Sequence, residues 1–140
     1  MEWLNPQLRS EDMSTPNTPF ALRLAWAHSL FDRGDFSGAA NALADLVSEA
    51  EQEQTLHGTS ELRLLLGCAY FRSAQLGRAE RTLRRLVDEA PDDGYAHLLL
   101  GRTLQRQARH DEARRHLALA EVLGDYERPA AYGEAQGTAG

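Results

Sequence analysis

Apolar residues recur along this chain three and four positions apart, and no stretch alternates apolar with polar. Leu66 and Tyr70, then Leu83 and Leu86, show the spacing, which lays one apolar stripe along each of a series of helices. The pattern predicts six helices, at 19–33, 37–56, 60–73, 76–90, 94–107 and 110–123. Helix punctuation agrees with those limits. Thr18 offers an N-cap and Pro19 a first helical position. Gly34-Asp35 breaks the first helix from the second, and Thr59 or Ser60-Glu61 opens the third. Pro91-Asp92-Asp93-Gly94 separates the fourth from the fifth. β-branched residues are scarce, so no strand reading competes and the chain is expected to be all-α.

The helices come in copies. Leu66-Gly67, Tyr70, Ala79 and Leu83 return 34 residues later as Leu100-Gly101, Leu104, Ala113 and Leu117. A further copy lies upstream as Trp26-Ala27, Leu30, Gly34-Asp35-Phe36, Ala39 and Leu43, 40 residues before the middle one. The six extra residues are placed at 54–59, where they would lengthen the second helix before His57-Gly58 ends it. Small residues (Ala27, Gly67, Gly101; Ala39, Ala79, Ala113) fall where two antiparallel helices must cross closely, and a larger side chain there would overpack. A hairpin of this kind cannot bury its stripe alone, so neighbours must stack.

In these positions the chain resembles the tetratricopeptide repeat family over about residues 19–125, with Ala27 where the first repeat would normally have glycine. The resemblance implies a tetratricopeptide-type α-solenoid of three antiparallel helix pairs in a right-handed superhelix. Repeats are expected at about 20–53, 60–93 and 94–125, within a domain at 18–125. An N-terminal extended segment (1–17) would precede it and a flexible tail (126–140) would follow. Trp3 and Leu4 are the large apolar residues of the N-terminal segment, and Trp3 is a candidate to dock on the repeats' groove. The chain leaves barely room for a capping element after the last repeat, so the face carrying Leu119 and Val122 is expected to be one that another chain covers.

Composition narrows the function classes. The 140 residues carry 15 basic and 21 acidic side chains, a formal net charge of −6, which argues against non-specific nucleic-acid binding. All the basic residues are arginine, and lysine and isoleucine are absent, a bias we read as that of a high-GC bacterial genome. Without lysine there is no Schiff-base or P-loop lysine chemistry. One cysteine, Cys68, excludes an internal disulfide or a CxxC pair. No apolar run reaches the length of a membrane span and no signal peptide opens the chain, so the expected setting is cytoplasmic.

Candidate chemistry is thin. His97 occupies a slot the family often fills with tryptophan and reads as a packing residue. His110 and His116 fall on different helix faces. His28 and Cys68 lie one repeat apart, without the further ligands a metal would need. Acidic residues at Glu49, Glu51, Glu53 and at Asp88, Glu89, Asp92, Asp93 read as solvated helix ends and loops. Arg78, Arg81, Arg84 and Arg85 read as a solvated outer face. No catalytic motif is present. The expectation is a protein that is not an enzyme and uses no cofactor or metal.

The resemblance further implies which positions line the inner face. They include Leu24, His28 and Phe31 in repeat one. Repeat two adds Leu64, Cys68, Phe71 and Arg72, and repeat three adds Tyr95, Leu98, Arg102, Gln105 and Arg106. Leu24, Leu64 and Leu98 form an apolar row, and Arg72, Arg102 and Arg106 gather at one end. An exposed apolar row rimmed by polar residues marks a binding site; a shifted register would instead put these leucines in the core. The side chains that grip chaperone C-termini elsewhere in the family are missing here, at Leu24, His28, Leu65, Tyr95 and Leu99. The expected function is a protein–protein interaction module, its groove taking a peptide or helix, acidic ones included. The alternatives are a self-associating module pairing through its terminal repeat, and a secretion-type chaperone.

Overall fold

The structure is a computed structural model, which describes residues 18–53 and 59–124. Six helices follow one another: α1 Phe20–Asp32, α2 Phe36–Gln52, α3 Thr59–Arg72, α4 Leu76–Glu89, α5 Gly94–Arg106 and α6 His110–Leu123. Each packs on the next, and α3 also reaches α5. That nearest-neighbour pattern is the signature of a solenoid, in which each hairpin touches only those beside it. Trp3 and the 126–140 tail lie outside the described residues, as does the 54–58 segment.

Three hairpins share one turn geometry. Gly34, Ala74 and Ala108 occupy matched positions, and all three have positive φ (83°, 62° and 63°). In each turn that residue's N–H donates to a carbonyl three back. The next N–H donates five back, from Asp35 to Leu30, Gln75 to Tyr70 and Arg109 to Leu104. These bonds satisfy the last carbonyls of the first helix, and the left-handed residue reverses the chain. After the turn, Asp35 caps α2 by accepting from the Gly38 N–H, and Asp93 caps α5 by accepting from Ala96.

Most helix limits lie within one residue of the sequence reading, and two of the differences have a physical reason. Pro19 is the N-cap of α1 rather than its first helical residue, and its carbonyl accepts from Leu22 and Arg23. Helix α2 ends at Gln52, four residues short of 56, because its apolar face ends at Ala50 and Glu51 turns to an ion pair instead.

The core runs unbroken through the stack. Ala27, Leu43, Leu83, Leu100 and Leu104 have no exposed surface, nor have Ala39 and Ala79. The second helices bury one face each, Leu43, Leu46 and Val47 on α2, and Leu83, Leu86 and Val87 on α4. Helix α3 lies between neighbours on both sides and is buried without a break from Leu62 to Ala69.

Candidate partner-binding site

The first helix of each hairpin carries a polar or charged residue four positions before the small crossing residue, and these are Arg23, Arg63 and His97. All three are buried. Arg23 donates two hydrogen bonds to Glu49 of α2, at 2.6 and 2.7 Å. The bonds hold the Glu49 carboxyl below its ordinary range against the opposing cost of burial, and they raise the Arg23 guanidinium. Arg63 donates to Glu89 of α4, the matched partner one repeat on, and also to Glu51 of α2 at 2.7 Å. A single guanidinium thus ties two repeats together. Position 123, where the third repeat would place the matching glutamate, is Leu123. His97 turns instead to the Pro91 carbonyl, 2.9 Å from Nε2, and to His116, 3.1 Å between the Nδ1 atoms. A carbonyl can only accept, so His97 Nε2 carries the hydrogen; in a neutral imidazole the other nitrogen then accepts, and His116 is its donor. Burial first, then His97 and Arg84, push His116 below its ordinary value.

Of the outer arginines, Arg78 and Arg81 are exposed, but Arg84 and Arg85 are engaged between helices. Arg84 bridges Glu80 and Glu112, Arg85 bridges Glu51 and Glu89, and Arg109 reaches Glu80 at 2.7 Å. Glu80 sits below its ordinary value because Arg84 and Arg109 outweigh the burial that opposes them. Glu49, Glu51 and Glu89, expected on solvated ends, are therefore clamps between helices.

On the opposite side, α3 and α5 enclose a cavity of about 160 Å³. Cys68, Phe71, Arg72, Tyr95, Leu98 and Arg102 line it with Leu99, so six of the expected inner-face residues meet there. Arg106 stands at its edge, bonded to the Phe71 carbonyl at 3.2 Å and lying over the Phe71 ring at 4.9 Å. Arg72 stacks over Phe36 of the first hairpin at 4.4 Å. Arg102 is exposed and has no hydrogen bond or ion pair to a described residue.

Other expected residues lie elsewhere. Leu64 (8% exposed) and Phe31 (4%) belong to the core, and Cys68 (2%) reaches the cavity only as part of its floor. Phe31 meets Phe36 edge-on at 5.1 Å. The expectation of a continuous exposed leucine row is corrected: Leu64, in the middle repeat with a neighbour on each side, is buried, and Leu24 and Leu98 are half-buried. Leu24, His28 and Gln105 do not line the cavity. Among the described residues no three His, Cys, Asp or Glu side chains converge as for a metal, and no helix is long and apolar enough to cross a membrane.

A family model described as tetratricopeptide repeat matches residues 30–99, half of the chain. The chain belongs to the tetratricopeptide repeat family. No curated protein and no solved structure matches it in the same comparisons. Tetratricopeptide repeats generally mediate protein–protein interaction, and the matched segment contains the crossing residues Gly67 and Leu83 and most of the cavity wall.

Proposed function

We propose that this tetratricopeptide protein works by binding another protein in the cavity between α3 and α5, gripping an acidic side chain or carboxylate of a peptide or helix. The observation that carries this reading is Arg102, an exposed cation without a described partner beside Phe71, Tyr95 and Leu98. The neighbouring cations are committed elsewhere, Arg72 to Phe36 and Arg106 to Phe71, so they position aromatic surface while Arg102 offers charge. Small-molecule sites typically enclose about 300–1,000 Å³. A cavity of about 160 Å³ suits one anchoring side chain of a partner better than a substrate. On this reading the protein is a binding module and not an enzyme.

Peptide display tests it directly. Selection on the wild-type protein should enrich peptides with an acidic residue next to a bulky apolar one, and Arg102→Glu should lose them. Peptides that bind the wild type and Arg102→Glu equally would remove the cavity from the reading.

A further inference from the structure

Among the described residues α6 is the last helix, and the inner-row leucines differ in burial along the stack. Leu64, with a repeat on either side, is buried, whereas its equivalents Leu24 and Leu98, each with a repeat on one side, are half-buried. The flank of α5 and α6 that faces away from the other described helices holds a groove of about 410 Å³, lined by Leu98, Arg114, Leu117, Ala118, Ala120 and Glu121.

Along α6 this face reads Arg114, then Leu117 and Ala118, then Glu121, a cation and an anion placed equally far from an apolar centre. Residues three, four and seven apart share one helix face. A stripe with opposite charges at its two ends is complementary to itself when turned by a two-fold axis. We propose that this face binds a second copy of the chain, with the two α6 helices antiparallel about an axis between Leu117 and Ala118. Arg114 of each copy then meets Glu121 of the other, and each Leu117 seats against the other copy's Ala118. The small Ala118 side chain lets the helices approach.

Both charges can be recruited. In the single chain Arg114 pairs with Asp111 on its own helix, with the two side chains 72% and 90% exposed, so exchanging that contact costs little. Glu121 is exposed and has no ion pair to a described residue. Leu98 lines both this groove and the cavity of the proposed binding site, so a second copy would cover the residue that separates the two. This inference does not depend on what that cavity binds.

A contact built largely on one helix pair is small, and interfaces under about 1,200 Å² are weak and transient. Sedimentation equilibrium of the full chain should therefore show a monomer–dimer exchange, with dissociation on the order of tens of micromolar. Arg114→Glu and Glu121→Arg should each weaken the dimer about tenfold or more, and the double exchange Arg114→Glu/Glu121→Arg should restore it. A full chain that stays monomeric to about 1 mM overturns the proposal, as does a dimer indifferent to both single reversals. A photoreactive residue in place of Ala118 identifies the occupant independently. Cross-links between copies support the dimer; cross-links within one chain to residues 125–140 overturn it in favour of the chain's own C-terminal segment.

Discussion

Gly67 and Leu83 touch where the two helices of the middle repeat cross: a Cβ added to Gly67 would stand 2.7 Å from Leu83 Cδ2 and 2.9 Å from its Cγ. Leu83 is fully buried and cannot swing aside. The crossing recurs one repeat on, where a Cβ on Gly101 would meet Leu117 Cδ2 at 2.6 Å and the Ala113 carbonyl at 3.3 Å. Alanine gains about 1 kcal/mol over glycine in helix propensity, and overpacking costs about 1–3 kcal/mol. Gly67→Ala and Gly101→Ala should therefore both destabilise on balance. Gly67→Leu and Gly101→Leu should cost a few kcal/mol. Urea melts check the series, and wild-type midpoints for the leucine variants would contradict this crossing.

Arg63 carries a second prediction. Its side chain is 5% exposed, while its partners Glu51 and Glu89 are 31% and 43% exposed. Water can solvate those carboxylates once the cation leaves, so the penalty of stranding them is modest. Replacing a buried ion pair by apolar volume is often nearly neutral, whereas truncation leaves a cavity. Arg63→Met is expected to stay within about 1 kcal/mol of wild type, and Arg63→Ala to lose about 2–4 kcal/mol. Equal losses for both in urea melts would show that the charge, not the volume, holds the slot.

What was legible follows from what spacing can carry. Helix number and order are visible because each stripe and crossing residue repeats at a fixed offset, and a repeat constrains local geometry strongly. The turns were harder, since Ala74 and Ala108 adopt the left-handed conformation that residue type would assign only to Gly34. The Arg23–Glu49 and Arg63–Glu89 clamps each span 26 residues, and nothing in a single helix's pattern signals a carboxylate on the next one. Phe71, Arg72, Tyr95, Leu98 and Arg102 could be grouped because they recur on the inner face of adjacent repeats. The burial of Leu64 depends on having a repeat on either side, which its own repeat's pattern does not contain.

Stability should fall in two steps as the solution is acidified. His116 lies below its ordinary 6.5 in the folded chain, chiefly through burial and then His97. The unfolded state therefore binds protons first. Stability is full above 6.5 and declines below it, until the folded imidazole also titrates. Glu49, Glu80 and Glu112 lie below their ordinary 4.5. Their contribution is present above that value and is lost as the pH falls through their folded values. His116→Gln should flatten the upper step and leave the lower one, measured as urea midpoints from pH 8 to pH 3. An NMR titration placing His116 above 6.5 would reverse the sign of the first step.

Binding in the α3–α5 cavity makes the sharpest demand, because the residues that shape it differ in what else they do. Arg102 is exposed at the cavity mouth and can change without opening the core, whereas Tyr95 is half-buried at the wall and packs against the core. Interface energy concentrates in a few desolvated anchors, each worth ~2 kcal/mol or more on truncation, and charge-assisted bonds contribute roughly 1.5–3 kcal/mol. Tyr95→Ala and Arg102→Glu are expected to cut the affinity for a selected acidic peptide at least tenfold, Arg102→Glu with melting close to wild type and Tyr95→Ala with a lower melting midpoint but a folded, helical chain at about 25 °C. Arg102→Glu should also flatten the salt dependence that the wild type shows, since the screened attraction is the part it removes. Leu64→Glu belongs to a different class. With 8% of its surface exposed, a carboxylate there is placed in the core, and the variant should melt early whatever it binds. Arg81→Glu, on α4 and away from the cavity, is the control and should bind as the wild type does. Fluorescence anisotropy with the labelled peptide reads all four. Loss of binding in Arg81→Glu, with Tyr95→Ala and Arg102→Glu unaffected, would move the partner to the outer helices and away from this cavity.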